Sequence, residues 1–297
     1  MTQLKPAAGT MAERTLAIDF DGVICDSTEE CAVVTWNALR IRDLDATGEQ
    51  LTSGVPAEFR TRFARVRNYA RSLGHFAVAL APAADEITSQ IDFDRIYRAI
   101  PPDQVHAFVA GGRRVRALLR GQQVQAWCRM HRIFPGIPRL LAQFTGRAHV
   151  VTARDAASTC HVLAAHGLDL HIASVIGDCS DKAIAIGRLC ARLAIAPERT
   201  VFLDDNLTSV LAVAATGATA LWARWGWHTV EHEIRARAAG VTAADRPAEV
   251  GQAQRQLGEP VAGFCRRCEF RRSSGRNCSC PVRLDSRGGD ASRCSNC

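Results

Sequence analysis

The chain has 297 residues, of which 47% are apolar and 23% are charged, a composition typical of a soluble globular protein. Its length is sufficient for a full core and two domains, and no apolar run reaches the roughly 18 residues that a membrane-spanning helix needs. The net charge of +7 is uneven, because the stretch 261–297 holds eight arginines and three acids and leaves only +2 for the rest. The main body is therefore not expected to bind nucleic acid.

The N-terminal stretch lacks the apolar segment of a signal peptide, so we expect a cytoplasmic protein whose cysteines stay reduced. Residues 1–11 are interpreted as a flexible leader, and Met11 is an alternative start. His228 and His232 have no third ligand nearby in sequence, which favours a surface or capping role over a metal site. Small core residues are predicted at six cysteines: Cys25, Cys31, Cys128, Cys160, Cys179 and Cys190.

Two aspartates follow a short apolar run, Leu16-Ala17-Ile18, which is predicted to be a buried strand. Residues two apart in a strand share a face, so the carboxylates of Asp19 and Asp21 leave the strand end together. Gly22 allows the backbone to turn sharply beside them. Two close carboxylates repel each other, and a divalent cation is their natural partner; a strand that ends in a polar turn is the alternative interpretation.

The stretch 28–134 is predicted to be a helical insertion, because no part of it alternates convincingly like a strand. Ser27 and Glu30 have the spacing of a capping box that begins a helix over Cys31–Leu44. Apolar residues at intervals of three and four predict an amphipathic helix over Phe59–Ala77.

The last part of the insertion is predicted to be a helical block over Asp103–Arg132. Gly111 and Gly112 are expected to split or kink this block, because glycine is a weak helix former. The insertion ends at Phe134-Pro135-Gly136, where the pattern changes.

From residue 147 onward, apolar runs alternate with amphipathic segments, which predicts an α/β fold with a parallel sheet covered on both faces. The predicted strands are Ala148–Thr152, Ile172–Ile176, Thr200–Asp204 and Ala218–Trp222. The predicted helices are Ala156–His166, Asp181–Leu193, Leu207–Ala215 and one more after Thr229. Such sheets bind ligands beyond the carboxyl ends of their strands, where the pair Asp19 and Asp21 lies.

Three further strand ends or helix starts carry polar residues. Thr152 offers a hydroxyl beside free backbone amides, which can hold an anionic oxygen, and a simple helix cap is the alternative. Lys182 begins a helix, where a cation opposes the helix dipole; this suggests an anionic partner, and a solvated surface lysine is the alternative. Asp204 and Asp205 form a second acidic pair at a strand end.

The order of these residues resembles the haloacid dehalogenase-like hydrolase superfamily, in its phosphoglycolate phosphatase-like branch. The four motifs of that family are matched by Asp19-Phe20-Asp21-Gly22-Val23, Thr152, Lys182 and Leu203-Asp204-Asp205. The resemblance implies a Rossmann-like core formed by residues 12–27 and 135–250, with a helical cap of the C1 type at 28–134. Trp225-Gly226, soon after the last strand, also resembles the phosphatase branch.

By this resemblance, Asp19 is the nucleophile that forms an aspartyl-phosphate, and Asp21 is the general acid and base. Thr152, Ala153 and Lys182 are implied to bind the transferring phosphoryl group, and Lys182 also to restrain the charge of Asp19. These roles suit phosphoryl transfer, which asks the protein mainly for positioning and charge neutralisation.

The resemblance also implies Mg²⁺, held by the Asp19 carboxylate, the Asp21 backbone carbonyl and the Asp205 carboxylate. Asp204 is implied to contact the groups that hold the metal rather than to bind the metal directly. The dehalogenases of the superfamily lack an acid at the position of Asp21 and need no metal, so Asp21 points away from dehalogenation.

The predicted function is a Mg²⁺-dependent phosphatase acting on a small phosphorylated metabolite, since a cap of this size restricts entry to small molecules. A phosphomutase of the β-phosphoglucomutase type would use the same aspartates and stays open as an alternative. The cap arginines have two interpretations, a solvated helix face or contacts in which Arg67 or Arg71, together with His75, reach an anionic leaving group.

The tail, residues 251–297, is rich in Gln, Gly, Arg, Ser and Cys and has few large apolar residues. Its Cys-x-x-Cys pairs, Cys265 with Cys268 and Cys294 with Cys297, could form a zinc site among arginines suited to phosphate backbones. A disordered appendage is the second interpretation, because the tail shows no helix or strand period. A regulatory or nucleic-acid-associated protein that works through a zinc-bound tail therefore remains a further alternative function.

Overall fold

The computed structural model describes residues 14–41 and 48–251. All described residues belong to one compact unit, which lies within Met1–Gly258. The predicted leader and tail lie outside the described residues, except for Gly251, and so do the four candidate zinc ligands Cys265, Cys268, Cys294 and Cys297.

The described residues form eight strands, six of which build one parallel sheet. The strands are β1 (Thr15–Ile18), β2 (Cys25–Asp26), β3 (Arg132–Ile133), β4 (Ala148–Val151), β5 (Ile172–Ile176), β6 (Thr200–Asp204), β7 (Thr219–Ala223) and β8 (Ala243–Ala244). The parallel sheet has the order β5-β4-β1-β6-β7-β8, and β2 pairs antiparallel with β3. Since β1 lies between β4 and β6, the chain changes direction across the sheet here, and such switch points are where α/β sheets bind ligands.

Helices before β3 form the insertion, and helices after β3 alternate with the strands of the sheet. They are α1 (Thr28–Asn37), α2 (Gly48–Ser53), α3 (Ala57–Arg67), α4 (Gln90–Ala99), α5 (Pro102–Gln122), α6 (Val124–Arg129), α7 (Ile137–Ala142), α8 (Ala156–Ala165), α9 (Lys182–Leu193), α10 (Leu207–Ala214) and α11 (Val230–Ala238). None of these helices in the described part of the chain is both long and apolar enough to cross a membrane.

Both faces of the sheet are buried, which is why its strands are continuous apolar runs. Leu16 and Ile18 of β1 pack into one apolar layer with helices α7 and α8, whereas Ala17 faces the other layer with α9, α10 and α11. The result is a Rossmann-like α/β fold, as the alternation of apolar and amphipathic segments predicts. The predicted strands and helices that follow residue 147 agree with the observed bounds to within one residue.

Within the insertion, the predicted helix over Phe59–Ala77 is wrong beyond Arg67. Helix α3 ends there, and after a turn the chain forms the separate 3₁₀ helix Leu73–Leu80. The two pieces still share one apolar layer, since Phe63 and Phe76 are in edge-to-face contact with ring centroids 5.3 Å apart. The apolar residues at intervals of three and four therefore belong to one shared core but not to one continuous helix.

Two other predictions for the insertion need correction. Helix α1 ends at Asn37, before the end predicted for the helix over Cys31–Leu44, and residues 42–47 lie outside the described part of the chain. Strand β3 falls in a stretch where no strand is expected, because two residues are too few to show alternation. Of the six cysteines predicted in the core, four are buried, whereas Cys160 is exposed and Cys179 is partly exposed.

Gly111 and Gly112 do not split the helical block, because α5 runs unbroken through both. A Cβ atom at Gly111 would lie 1.9 Å from the backbone oxygen of Ala38, just after α1. At Gly112 a Cβ would lie 3.3 Å from side-chain atoms of Leu73 and Val34. The glycines therefore allow α5 to approach the end of α1 closely, and the predicted split at this point is wrong.

Replacing Gly111 by alanine is expected to destabilise the protein by about 2 to 4 kcal/mol, because backbone atoms of Ala38 must move to admit the new methyl group. The free energy of unfolding, measured by urea denaturation, checks this. Gly121→Ala on the same helix is the matched control, since a Cβ there meets nothing within 4 Å. It is expected to leave stability unchanged or to raise it by up to about 1 kcal/mol through helix propensity. Equal effects of the two substitutions would contradict this account.

Candidate active site

Asp19 and Asp21 follow β1 directly and lie at the carboxyl end of the sheet. The backbone N–H of Asp19 donates to the carbonyl of Leu203 at 2.9 Å, which extends the pairing of β1 with β6 to this residue. Asp19 is 7% exposed, so its carboxylate is almost completely removed from water.

Lys182 is the cation that faces this carboxylate. It is the first residue of α9, whose N-terminus is capped by the Asp181 side chain. Its Nζ lies 2.7 Å from Asp19 Oδ2 and 2.7 Å from Asp204 Oδ2. Burial alone would lower the pKa of Lys182, but the two carboxylates raise it above its usual range. The anionic partner expected from its position against the helix dipole is thus present.

Three buried carboxylates come together at this edge of the sheet. Ligand atoms of Asp19, Asp204 and Asp205 all lie within 4.8 Å of one another. Burial and the neighbouring Asp204 raise the pKa of Asp205 well above its ordinary value, and burial raises the pKa of Asp19 to about 6 although Lys182 opposes the change. Burial therefore disfavours the charged form of both carboxyl groups, and a bound cation would favour it.

The donor set fits a hard divalent cation such as Mg²⁺, which prefers carboxylate and carbonyl oxygens. Both oxygens of Asp204 already accept hydrogen bonds, from Lys182 Nζ and from the Asn206 backbone N–H. Asp205 accepts one, from the Trp227 backbone N–H at 3.0 Å. This difference leaves Asp205 better placed than Asp204 to bind a metal directly.

Gly22 and Trp227 build the wall beside Asp205. Gly22 has a φ of +88°, and a Cβ there would lie 2.2 Å from Asp205 Oδ2 and 2.6 Å from the Trp227 ring. Glycine is therefore needed at this turn both for its backbone conformation and for the close approach of Asp205.

Thr152 and Ala153 lie at the end of the neighbouring strand β4. Thr152 is 1% exposed, and its Oγ1 accepts a hydrogen bond from the Arg154 backbone N–H at 3.2 Å. Ala153 lines a cavity at the carboxyl end of the sheet together with Asp19 and Lys182. The structure thus brings the predicted phosphate-binding residues to one place.

Arg154, a residue that sequence reasoning missed, pairs with Asp21. Its Nε lies 2.9 Å from Asp21 Oδ2 and its Nη2 lies 2.8 Å from Asp21 Oδ1, so the contact is bidentate. The Ser27 hydroxyl also donates to Asp21, at 2.5 Å. Burial would raise the pKa of Asp21, but Arg154 and Ser27 lower it to about 2. Asp21 is therefore a carboxylate at neutral pH in this arrangement.

The predicted capping box of Ser27 and Glu30 is wrong. Ser27 makes no side-chain cap to α1. Glu30 is fully buried, where it accepts hydrogen bonds from Arg154, Arg116 and Trp127. Burial would raise the pKa of Glu30, but the charges of Arg116 and Arg154 hold it well below its ordinary range. Glu30 is therefore a buried ion-pair partner of Arg116 and Arg154 and not part of a helix cap.

A cavity of about 270 Å³ opens in front of this site and is also lined by residues of the insertion. Arg67 is 7% exposed and stacks over the Trp227 ring with 3.6 Å between its guanidinium carbon and the ring centroid. Its Nε is buried without a hydrogen-bond partner among the described residues. Arg71 also lines the cavity, 3.5 Å from Asp94.

His75, the third predicted substrate contact in the insertion, does not face the cavity. Its Nδ1 accepts from the Arg71 backbone N–H at 3.0 Å, and its ring contacts Tyr97 and Phe93. It lines neither this cavity nor the smaller one beside Asp21. The solvated-face interpretation of the charge run fits Arg62 and Arg65, which share the exposed Asp85 as partner.

The predicted capping role of His232 is confirmed, because its side chain completes a capping box with Thr229 at the start of α11. His232 Nε2 also lies 3.3 Å from the side-chain oxygen of Gln90, a residue of the insertion. His228 pairs with Glu233 at 3.1 Å. Neither histidine belongs to a metal cluster within the described residues.

His131 is expected to make the protein less stable in acid. Burial and the charge of Arg154 lower the pKa of His131 from 6.5 to about 4. The unfolded chain therefore binds more protons between these two values, and stability is lost as the pH falls through this window, by about 3 kcal/mol at most. Urea unfolding at about pH 7 and about pH 4.5 measures the loss.

The variant His131→Phe retains an aromatic ring against Trp127, whose centroid lies 5.0 Å away, and is expected to show a smaller acid loss. His161→Phe on α8, where the histidine is exposed, is the matched control and is expected to behave like the wild type. An acid loss of equal size in all three proteins would refute the role of His131.

The fold and the carboxylate cluster define an α/β protein with an acidic site at the switch point of its sheet. Residues 13–217 match the family model described as "Hydrolase: haloacid dehalogenase-like hydrolase". This match covers more than half of the chain, which therefore belongs to the haloacid dehalogenase-like hydrolases. No curated protein matches the sequence significantly.

Solved structures with the same fold include a haloacid dehalogenase-like hydrolase from Streptococcus pneumoniae, with a TM-score of 0.52 and 15% identity over 81% of this chain and 98% of its own. A predicted phosphatase from Clostridium acetobutylicum has a TM-score of 0.56 and 14% identity over 82% and 99% of the two chains. A predicted phosphoglycolate phosphatase from Haemophilus somnus has a TM-score of 0.54 and 17% identity over 82% and 99%. At these identities the likeness shows the fold.

Proposed function

We propose that this hydrolase is a Mg²⁺-dependent phosphatase that acts on a small phosphomonoester through an aspartyl-phosphate. The observation that carries the proposal is the cluster of Asp19, Asp204 and Asp205, in which Lys182 is the only cation at ion-pair distance among the described residues. A buried site with three carboxyl groups at the switch point suits a bound divalent cation and, through it, a phosphate.

In this proposal an oxygen of Asp19 attacks phosphorus, a new oxygen–phosphorus bond forms, and the bond to the leaving oxygen breaks. Thr152, Ala153 and Lys182 hold the phosphoryl oxygens, and Lys182 limits the charge that Asp19 carries. Mg²⁺ bound by Asp19, the Asp21 carbonyl and Asp205 would neutralise charge on the phosphoryl group, with Asp204 orienting Lys182.

Asp21 is proposed to transfer a proton in each of the two steps, first to the leaving oxygen and later from the attacking water. As a carboxylate it is suited to accept a proton from the water that hydrolyses the aspartyl-phosphate. To protonate the leaving oxygen it must first bind a proton, which its contact with Arg154 opposes in the arrangement described. A bound phosphate supplies nearby negative charge, and such charge raises the pKa of a carboxyl group.

The substrate is proposed to be small and to carry a second anionic group. The cavity of about 270 Å³ lies below the roughly 300–1,000 Å³ of pockets for drug-sized ligands. Arg67 and Arg71 face it from the insertion, residues 28–134, which we propose as a cap over a core formed by residues 12–27 and 135–250. The positive charges of Arg67 and Arg71 beside the cavity support an anionic group on the leaving side of the substrate.

The test is phosphate release from a panel of small phosphomonoesters, with and without Mg²⁺. We expect Mg²⁺-dependent turnover, with higher kcat/KM for esters whose leaving group bears a carboxylate or second phosphate than for neutral esters of the same size. No release from any ester with saturating Mg²⁺ would contradict a phosphatase. Release only in the presence of a sugar bisphosphate would favour the mutase alternative.

A further inference from the structure

A buried chain of charges connects Asp21 to the longest helix of the insertion. Arg154, which is 3% exposed, contacts Asp21 through two nitrogens and Glu30 Oε2 through Nη2 at 2.9 Å. Glu30 in turn accepts from Arg116 Nε at 2.7 Å and Arg116 Nη2 at 3.1 Å. Arg116 belongs to α5 and is 4% exposed.

Three separate elements contribute to this chain of charges. Arg154 lies in the loop after β4, Glu30 lies on α1, and Arg116 lies on α5. Because a buried charge without a partner costs several kcal/mol, the pairing constrains how these elements can move relative to one another. A displacement of α5 must therefore be accompanied by movement of Glu30 or by rearrangement of Arg154.

The contact with Arg154 constrains the orientation of the Asp21 carboxylate plane as well as its position. A bidentate arginine–carboxylate contact aligns the planar guanidinium with the carboxylate plane, and a lysine could not reproduce that alignment. The remaining Nη1 of Arg154 is buried without a hydrogen-bond partner among the described residues. Arg154 and the Ser27 hydroxyl thus orient Asp21, and Glu30 in turn orients Arg154.

We propose that Arg154 is a positioning residue that orients the Asp21 carboxylate, and that Glu30 and Arg116 couple this orientation to the position of α5. The proposal rests on the proposed function for Asp21. It explains why a glutamate and two arginines are buried together beside the site, where none of them is needed to bind the phosphoryl group. Closure of the insertion and alignment of the proton-transferring group would then occur together.

The test compares 4-nitrophenyl phosphate with phenyl phosphate, which have similar shapes but differ in how much the leaving oxygen needs a proton. For Arg154→Gln we expect kcat to fall at least about tenfold more with phenyl phosphate than with 4-nitrophenyl phosphate, because proton transfer depends on alignment. KM should change by less than about twofold. Arg154→Lys should show nearly the same selective loss, because a lysine keeps the charge without the alignment. Arg116→Gln should show the selective loss as well.

Arg113→Gln is the matched control on α5, since Arg113 pairs with the exposed Asp178 and not with Asp21, Glu30 or Asp155. It should retain wild-type kinetics with both esters. Equal losses of kcat with the two esters in Arg154→Gln, or a change confined to KM, would overturn the proposal. If the single variant does not fold, Glu30→Gln combined with Arg154→Met removes one charge of each sign and is tested in the same way.

Crystal structures of the wild type and Arg154→Gln give a readout that does not require turnover. We expect the Asp21 carboxylate to be rotated or disordered in the variant, and an unchanged orientation would overturn the proposal. Absence of wild-type turnover with both esters and with the whole panel would instead refute the proposed phosphatase, and the two crystal structures would still decide the role of Arg154.

Discussion

Replacing Asp19 by asparagine is expected to lower kcat for phosphate release by at least about 10³-fold, because an amide oxygen cannot act as the nucleophile. The substitution is almost isosteric, and the amide oxygen can still accept from Lys182, which keeps Asp204 as its second partner. Burial raises the pKa of Asp19 to about 6, so removal of its charge should not weaken the metal-free fold at neutral pH.

Phosphate release under saturating Mg²⁺ measures this effect, and thermal unfolding without metal shows that the variant is folded. Asp169→Asn is the matched control, because Asp169 is an exposed aspartate remote from the carboxylate cluster. It should retain full turnover. Residual turnover above about one tenth of wild type in Asp19→Asn would exclude Asp19 as the nucleophile.

The second large effect is expected at Asp205. Asp205→Asn should raise the Mg²⁺ concentration needed for half-maximal turnover at least about tenfold, since removal of even an outer partner of a metal ligand costs that much. The asparagine oxygen can still accept from the Trp227 backbone N–H, so the loop after β7 should remain in place.

A binding readout separates this effect from catalysis. Mg²⁺ that binds only the folded protein raises its melting temperature, and the rise should be clear in the wild type and largely absent in Asp205→Asn. Asp169→Asn again serves as the control and should respond to Mg²⁺ like the wild type. A thermal shift of equal size in Asp205→Asn would show that Asp205 does not hold the metal.

The strand ends illustrate what local pattern can predict. Asp19 and Thr152 follow a strand, Lys182 begins a helix and Asp204 ends a strand, and each of these elements was predicted to within one residue. The carboxyl ends of parallel strands meet at one edge of a sheet, so predicting the elements was enough to predict that these side chains meet.

The arginines of the insertion illustrate the opposite case. Arg62, Arg65 and Arg67 lie on the same helix, and their sequence pattern does not distinguish the exposed pair from the buried one. Arg67 differs only because Trp227, 160 positions further along the chain, supplies a ring for it to stack on. The one sequence signal near this contact was the Trp225-Gly226 pair, which pointed to the family rather than to an arginine partner.

The sequence by itself determined the alternation of strands and helices after residue 147 and the positions of the acidic pairs at strand ends, because these depend on short-range periodicity. Only the tertiary structure decided that Glu30 is a buried ion-pair partner rather than a helix cap, and that Arg154 binds Asp21. Those contacts join residues more than one hundred positions apart. A charged side chain has the same local pattern whether it meets water or a buried partner, so its role is settled only when packing brings that partner to it.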